Sequence, residues 1–153
     1  MTGMDTGLWW DDAALGMRWV SPARTVTEAD VVNFSGVSGD YNALHVDAEY
    51  AAGTRFGERI AHGALILSIV TGLRSRLGIF EGTLIAFAEI RSWRFRAPVL
   101  IGDTVHCVNE VVELAPTSKP DRGVMVHAVT VLNQRGVTVQ EGEMVSLLKR
   151  RAA

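Results

Sequence analysis

Apolar positions divide this chain into two regimes. In "HGALILSIVTGLRSRL" (62–77), Ala64, Leu65, Ile66, Leu67, Ile69, Val70, Leu73 and Leu77 cover nearly every direction of a helical wheel. A helix that is apolar all round is buried, so a buried rod of roughly 24 Å is predicted. Arg74 and Arg76 in its last turn suit the negative helix end, and Gly78 suits the position just beyond it. From residue 83 the pattern becomes valine-rich and partly alternating. "TLIAFAEIRSWRFRAPV", "DTVHCVNEVVELAP", "GVMVHAVTVLNQRG" and "VTVQEGEMVSLLKR" predict four strands, separated by "APVLIGD", "APTSKPDRG" and "NQRG". Four such runs in sequence suggest an antiparallel meander.

The first third reads differently. Residues 17–26 are extended and interrupted by Pro22. Thr27 is a candidate N-cap for a helix through "EADVVNFSGVS", with Val31, Val32, Phe34 and Val37 as its apolar side and Gly36 and Gly39 at its exit. Asp47 is a candidate N-cap for a second short helix within 47–57. One buried helix followed by a long antiparallel sheet packs if the sheet curls around the helix, which gives an α+β domain.

Composition adds limits. The 153 residues suit one domain, 1–153, with residues 1–14 read as a flexible N-terminal segment in which Trp9 and Trp10 can anchor. Hydrophobic residues make up 48% and charged residues 21%, a globular balance. A net charge of −2 gives no general reason to expect nucleic acid or an anionic membrane as partner. The longest strongly apolar stretch, "ALILSIV", is too short to span a bilayer, which needs about 20 residues. No secretory leader pattern opens the chain, so a cytoplasmic location is expected. Cys107 is the single cysteine, which excludes an intramolecular disulfide and suits a buried structural thiol.

Chemistry concentrates in "SGDYNALH" (38–45). Asp40 and His45 could hold one water between a carboxylate and an imidazole, the arrangement of general acid–base catalysis. Gly39 permits a sharp turn, and Asn42 could fix the loop or contact substrate. The bland alternative is a polar turn. A second constellation, "IAHGALI", sets Gly63 at the start of the buried helix. Unpaired N–H groups there could hold a carbonyl oxygen that gains negative charge. Close helix packing would explain Gly63 equally. His62 and Ala64, on either side of it, are with Asn42 the candidate substrate contacts. His62 could instead be a helix-start residue with a satisfied hydrogen bond.

"FSGVSGDYNALHVDAEYA" (34–51), "ERIAHGALILS" (58–68) and "RFRAPVLIGDTV" (94–105) together resemble the MaoC-like dehydratases, or (R)-specific enoyl-CoA hydratases. The ordered likeness runs from about residue 17 to 148. The family usually has proline where this chain has Ala43. The resemblance implies a hotdog fold, with a curved antiparallel sheet around a long helix, and a homodimer joined sheet edge to sheet edge. It implies that Asp40 and His45 are catalytic, that Gly63 gives a backbone N–H to the thioester oxygen, and that Asn42 supports the loop or binds substrate. It implies an acyl thioester of coenzyme A or acyl carrier protein as substrate, with no metal and no redox cofactor.

Arg91, Arg94 and Arg96 read as a solvated or salt-bridged strand face, with one of them meeting the coenzyme A phosphates as the alternative, and Arg55 and Arg59 are similar candidates. His106, His127, Trp19 and Trp93 read as structural. Acyl specificity would be set by residues 47–60 and the segment before 83. A hotdog thioesterase is a rival, but its helix would need a carboxylate and 62–77 has none. A non-catalytic acyl-binding subunit would lack Asp40 or His45, and both are present.

Overall fold

The computed structural model describes residues 6–151. Residues 1–5 of the expected flexible segment therefore lie outside the described residues. From residue 7 onward the segment is tied down. Leu8 N–H donates to Ile79 O at 2.9 Å, and the Trp10 indole N–H donates to Val124 O at 2.9 Å.

The strands are β1 (Arg18–Val20), β2 (Arg24–Thr25), β3 (Leu84–Phe95), β4 (Thr104–Pro116), β5 (Arg122–Leu132) and β6 (Thr138–Lys149). The helices are α1 (Glu28–Ser38), α2 (Ala43–Val46), α3 (Ala48–Ala52) and α4 (Gly63–Ser75). Thr27 caps α1 in a reciprocal capping box with Asp30, and Asp47 caps α3. The four long strands form where the valine-rich runs predict them.

Their order corrects the simple meander. The sheet runs β1-β4-β5-β6-β3, so β3 pairs with β6 rather than with its sequence neighbour β4. The 96–103 link is long for a tight hairpin. Its backbone groups bond elsewhere: Val99 O accepts from Ala61 N–H at 2.8 Å, and Arg96 N–H reaches Val139 O at 2.8 Å. The link thus crosses beneath the start of α4, and β3 is left as a twelve-residue edge.

Two helix expectations also need correction. Of the apolar side assigned to α1, Val31 is buried, but Val32 is 55% and Val37 87% exposed. In α4, Leu65, Ile66, Ile69, Val70 and Leu73 are buried against the sheet, while Ala64, Ser68, Thr71, Gly72 and Ser75 form an exposed stripe. Small and hydroxyl side chains tolerate that exposure, so the rod is covered on one side only. Among the described residues no helix is long and apolar enough to cross a membrane.

Arg74 is the larger surprise. Expected only to suit the negative helix end, it is 5% exposed. Its guanidinium donates to Asn109 Oδ1 at 2.8 Å, Met144 Sδ at 2.8 Å and His127 Nδ1 at 3.0 Å. His127 is fully buried, in line with the structural reading, and so is Cys107. Burial, with a smaller push from the Arg74 charge, lowers the His127 imidazole to about 3. The sign follows: between about 3 and 6.5 the unfolded chain binds a proton that the folded chain refuses. Stability is therefore lost as pH falls through that window, by at most about 1.4 kcal/mol per pH unit. Denaturant midpoints measured from pH 7 down to 4 should show this slope. His127→Gln, which keeps an acceptor without titrating there, should flatten it.

Candidate active site

Gly39 ends α1 with φ at +75°, a left-handed angle that turns the chain sharply into Asp40. The loop then fastens itself. Asn42 N–H donates to Asp40 Oδ1 at 3.1 Å, and Leu44 N–H donates to Asn42 Oδ1 at 3.0 Å. Asn42 is thereby the N-cap of α2, which carries His45. Its side-chain oxygen is committed to the loop, the first of the two roles open to it. Ala43 occupies the first helical position, where proline is equally at home; the departure from the family pattern leaves α2 formed.

His45 Nδ1 lies 2.7 Å from Ile60 O. A carbonyl only accepts, so Nδ1 carries the hydrogen, and a neutral ring presents the Nε2 lone pair. Ile60 N–H returns a bond to Leu44 O at 3.1 Å, so the segment before α4 clamps α2 from both sides. Behind His45, the His62 ring stacks at 3.8 Å between centroids, with 29° between planes. His62 is 2% exposed. Its Nε2 lies 3.0 Å from Asp40 O and 3.4 Å from Ser35 Oγ, and its Nδ1 is buried without a partner. His62 thus backs both Asp40 and His45, and it is not among the residues lining the adjoining cavity.

One ligating atom from each of Asp40, His45 and His62 falls within 4.8 Å of the others. A zinc ion with bonds near 2.1 Å would draw its ligand atoms to about 3.4 Å apart, so that chemistry would need further closure. A single water is a smaller demand on the same space.

Gly63 opens α4, and no side chain caps that helix start. Its N–H has no partner within the helix. A cavity of about 380 Å³ lies there, lined by Gly63, Ala64, Ile60, Phe56, Arg55 and Phe95 among others. Ala64 therefore sits at the cavity, as Gly63 does. A β-carbon on Gly63 would stand 2.6 Å from the Phe95 ring. Phe95 is 62% exposed and can swing away. Gly63→Ala should therefore keep its thermal midpoint but lose about tenfold or more in kcat/KM, because the methyl group enters the cavity at the helix start. Thermal melts beside steady-state kinetics would check this.

Gln140 was not legible as a site residue. Its Nε2 donates to Gly63 O at 3.0 Å, while its Oε1 accepts from the Trp93 indole at 2.9 Å. This pair fixes the first turn of α4 from the sheet. The only hint in the sequence is a polar residue inside a valine-rich strand. The arginines divide as follows. Arg91 pairs with Glu113, Arg96 with Glu141, and Arg59 with Glu28 through two bonds. Arg55 lies over the Phe56 ring at 4.8 Å and stays at the cavity.

The chain is 37% identical over 134 residues to an (R)-specific enoyl-CoA hydratase of Rhodospirillum rubrum, covering 86% of this chain and 85% of that one. It is 42% identical over 86 residues to protein MaoC of Klebsiella aerogenes, but spans only 25% of that protein's length. An Archaeoglobus structure described as a monoamine oxidase regulatory protein superposes with a TM-score of 0.89 at 34% identity, covering 95% of this chain and 97% of that one. The α+β architecture is the hotdog fold. With a match to the MaoC like domain over residues 13–134, the chain belongs to that family.

Proposed function

We propose that the protein is a hydro-lyase that interconverts trans-2-enoyl thioesters and (R)-3-hydroxyacyl thioesters carried on coenzyme A or acyl carrier protein. The observation that carries this reading is the convergence of Asp40 and His45 beside the uncapped start of α4. Water held by the carboxylate and by His45 Nε2 adds its oxygen to the β-carbon while one of the pair takes its proton. The π electrons move onto the thioester oxygen, which the Gly63 N–H holds. The pair then returns a proton to the α-carbon, so the elements of water are added and the enzyme is restored. The reaction is not a redox reaction, and this scheme calls on no metal. Arg55, a cation lining the cavity, would meet a phosphate of coenzyme A in this reading.

The active unit in this reading is a homodimer joined through the β3 edge. The thioesterase alternative lacks its acid, since α4 carries no Asp or Glu. A panel of trans-2-enoyl-CoA substrates tests the proposal: loss of the conjugated-thioester absorbance without release of free thiol supports it. Thiol release with the double bond intact would replace it by the thioesterase.

A further inference from the structure

Gln140 is a polar side chain in the core of the sheet. It is 2% exposed, on a strand that also buries Val139, Met144 and Val145. Burying an amide is unfavourable unless its groups are bonded. Here both ends are bonded. The Trp93 indole N–H donates to Oε1 at 2.9 Å, and Nε2 donates to Gly63 O at 3.0 Å. An indole only donates and a carbonyl only accepts, so these partners fix which end of the amide faces which.

The bond to Gly63 is not needed to satisfy the helix. Helical spacing already gives Gly63 O the N–H of Leu67, one turn on. Gln140 takes the second lone pair of an oxygen that has a partner, and what it adds is restraint. Gly63 joins two peptide planes and has no side chain to limit rotation between them. The plane before it, which carries the Gly63 N–H, is held by the bond from Ile66 N–H to His62 O at 3.2 Å. The plane after it is held by Gln140. The sheet supports this clamp. Gln140 lies opposite Phe95 on β3, and the Phe95 ring lies against Gly63. Trp93 lies opposite Gly142, where a β-carbon would stand 2.5 Å from the indole ring, so glycine there leaves the ring its room. Gln140 and Gly63 line the same cavity.

We propose that Gln140 is a positioning residue for the oxyanion site: held by Trp93, it keeps the Gly63 N–H aimed at the thioester oxygen. This rests on the hydro-lyase reading. Negative charge on that oxygen is largest in the transition state, so a loosened donor is missed more there than in the bound substrate. The defect therefore belongs in kcat rather than in KM.

Kinetics on crotonyl-, trans-2-hexenoyl- and trans-2-octenoyl-CoA, with thermal melts on the same preparations, test this. Gln140→Met keeps the length of the side chain and removes the amide. It should lose about tenfold in kcat, with KM within about twofold of wild type. Trp93→Phe leaves the amide in place but frees its oxygen, and should lose a smaller factor in kcat. The double variant should be no slower than Gln140→Met alone, because the indole acts only through the amide. Full kcat in folded Gln140→Met, a loss carried by KM alone, or losses that multiply in the double variant would overturn the proposal. Should Gln140→Met not fold, an unchanged kcat in Trp93→Phe overturns it instead. No hydration by wild type across the series removes the hydro-lyase reading and this inference with it; hydration by wild type that both variants match removes the inference alone.

Discussion

Asp40→Asn is expected to lower turnover by about two to four powers of ten while leaving the thermal midpoint in place. The variant keeps shape, and it keeps an oxygen for the Asn42 N–H that now bonds Oδ1. The bond from His62 goes to the backbone carbonyl of residue 40 and is untouched. Asp40 is exposed, so no buried charge is removed. What disappears is the negative charge that, in the proposed reaction, faces His45 across the water. His45→Ala should fall by a similar factor, because it removes the Nε2 lone pair. Steady-state kinetics with thermal melts on the same preparations check both, and substantial turnover in either folded variant counts against the acid–base pair.

Ile90→Lys should dissolve the proposed dimer and most of the activity with it. β3 is a twelve-residue sheet edge carrying exposed Leu84, Ile85, Phe87, Ile90 and Phe95. A long apolar edge with open N–H and C=O groups invites another strand, and lysine is a common way to block such pairing. A second copy satisfies the same groups symmetrically. Phe95, which lines the cavity at Gly63, belongs to this strand, so a disturbed edge reaches the cavity as well. Light scattering should give twice 16.6 kDa for wild type and 16.6 kDa for the variant. A wild type that stays monomeric while active would remove the dimer from the account.

Local signals carried far in this sequence because the local chemistry is strong. Thr27 and Asp47 cap helices where hydroxyl and carboxylate oxygens meet unpaired N–H groups. The apolar run at 62–77 had to be covered by something, and the valine-rich runs had to pair. The Asp40 loop was legible because Gly39, Asn42 and His45 each do a job within a few residues of one another. Pairings between distant residues were not legible. Nothing in "TLIAFAEIRSWRF" says that it joins β6 rather than β4, since its sheet partner is settled by where the 96–103 link crosses α4. Nothing in "GLRSRLG" separates the buried Arg74 from the exposed Arg76. Their difference comes from which side of α4 faces Asn109, His127 and Met144. Gln140 was missed for the same reason, because its partners Trp93 and Gly63 lie on other elements.

The most direct test of the central claim is hydration of trans-2-enoyl-CoA thioesters of several chain lengths, with chiral analysis of the product and Asp40→Asn run in parallel. The account predicts that wild type forms the (R)-3-hydroxyacyl thioester and that Asp40→Asn forms little of it. An (S) product, equal rates from both proteins, or no hydration across the panel would contradict it.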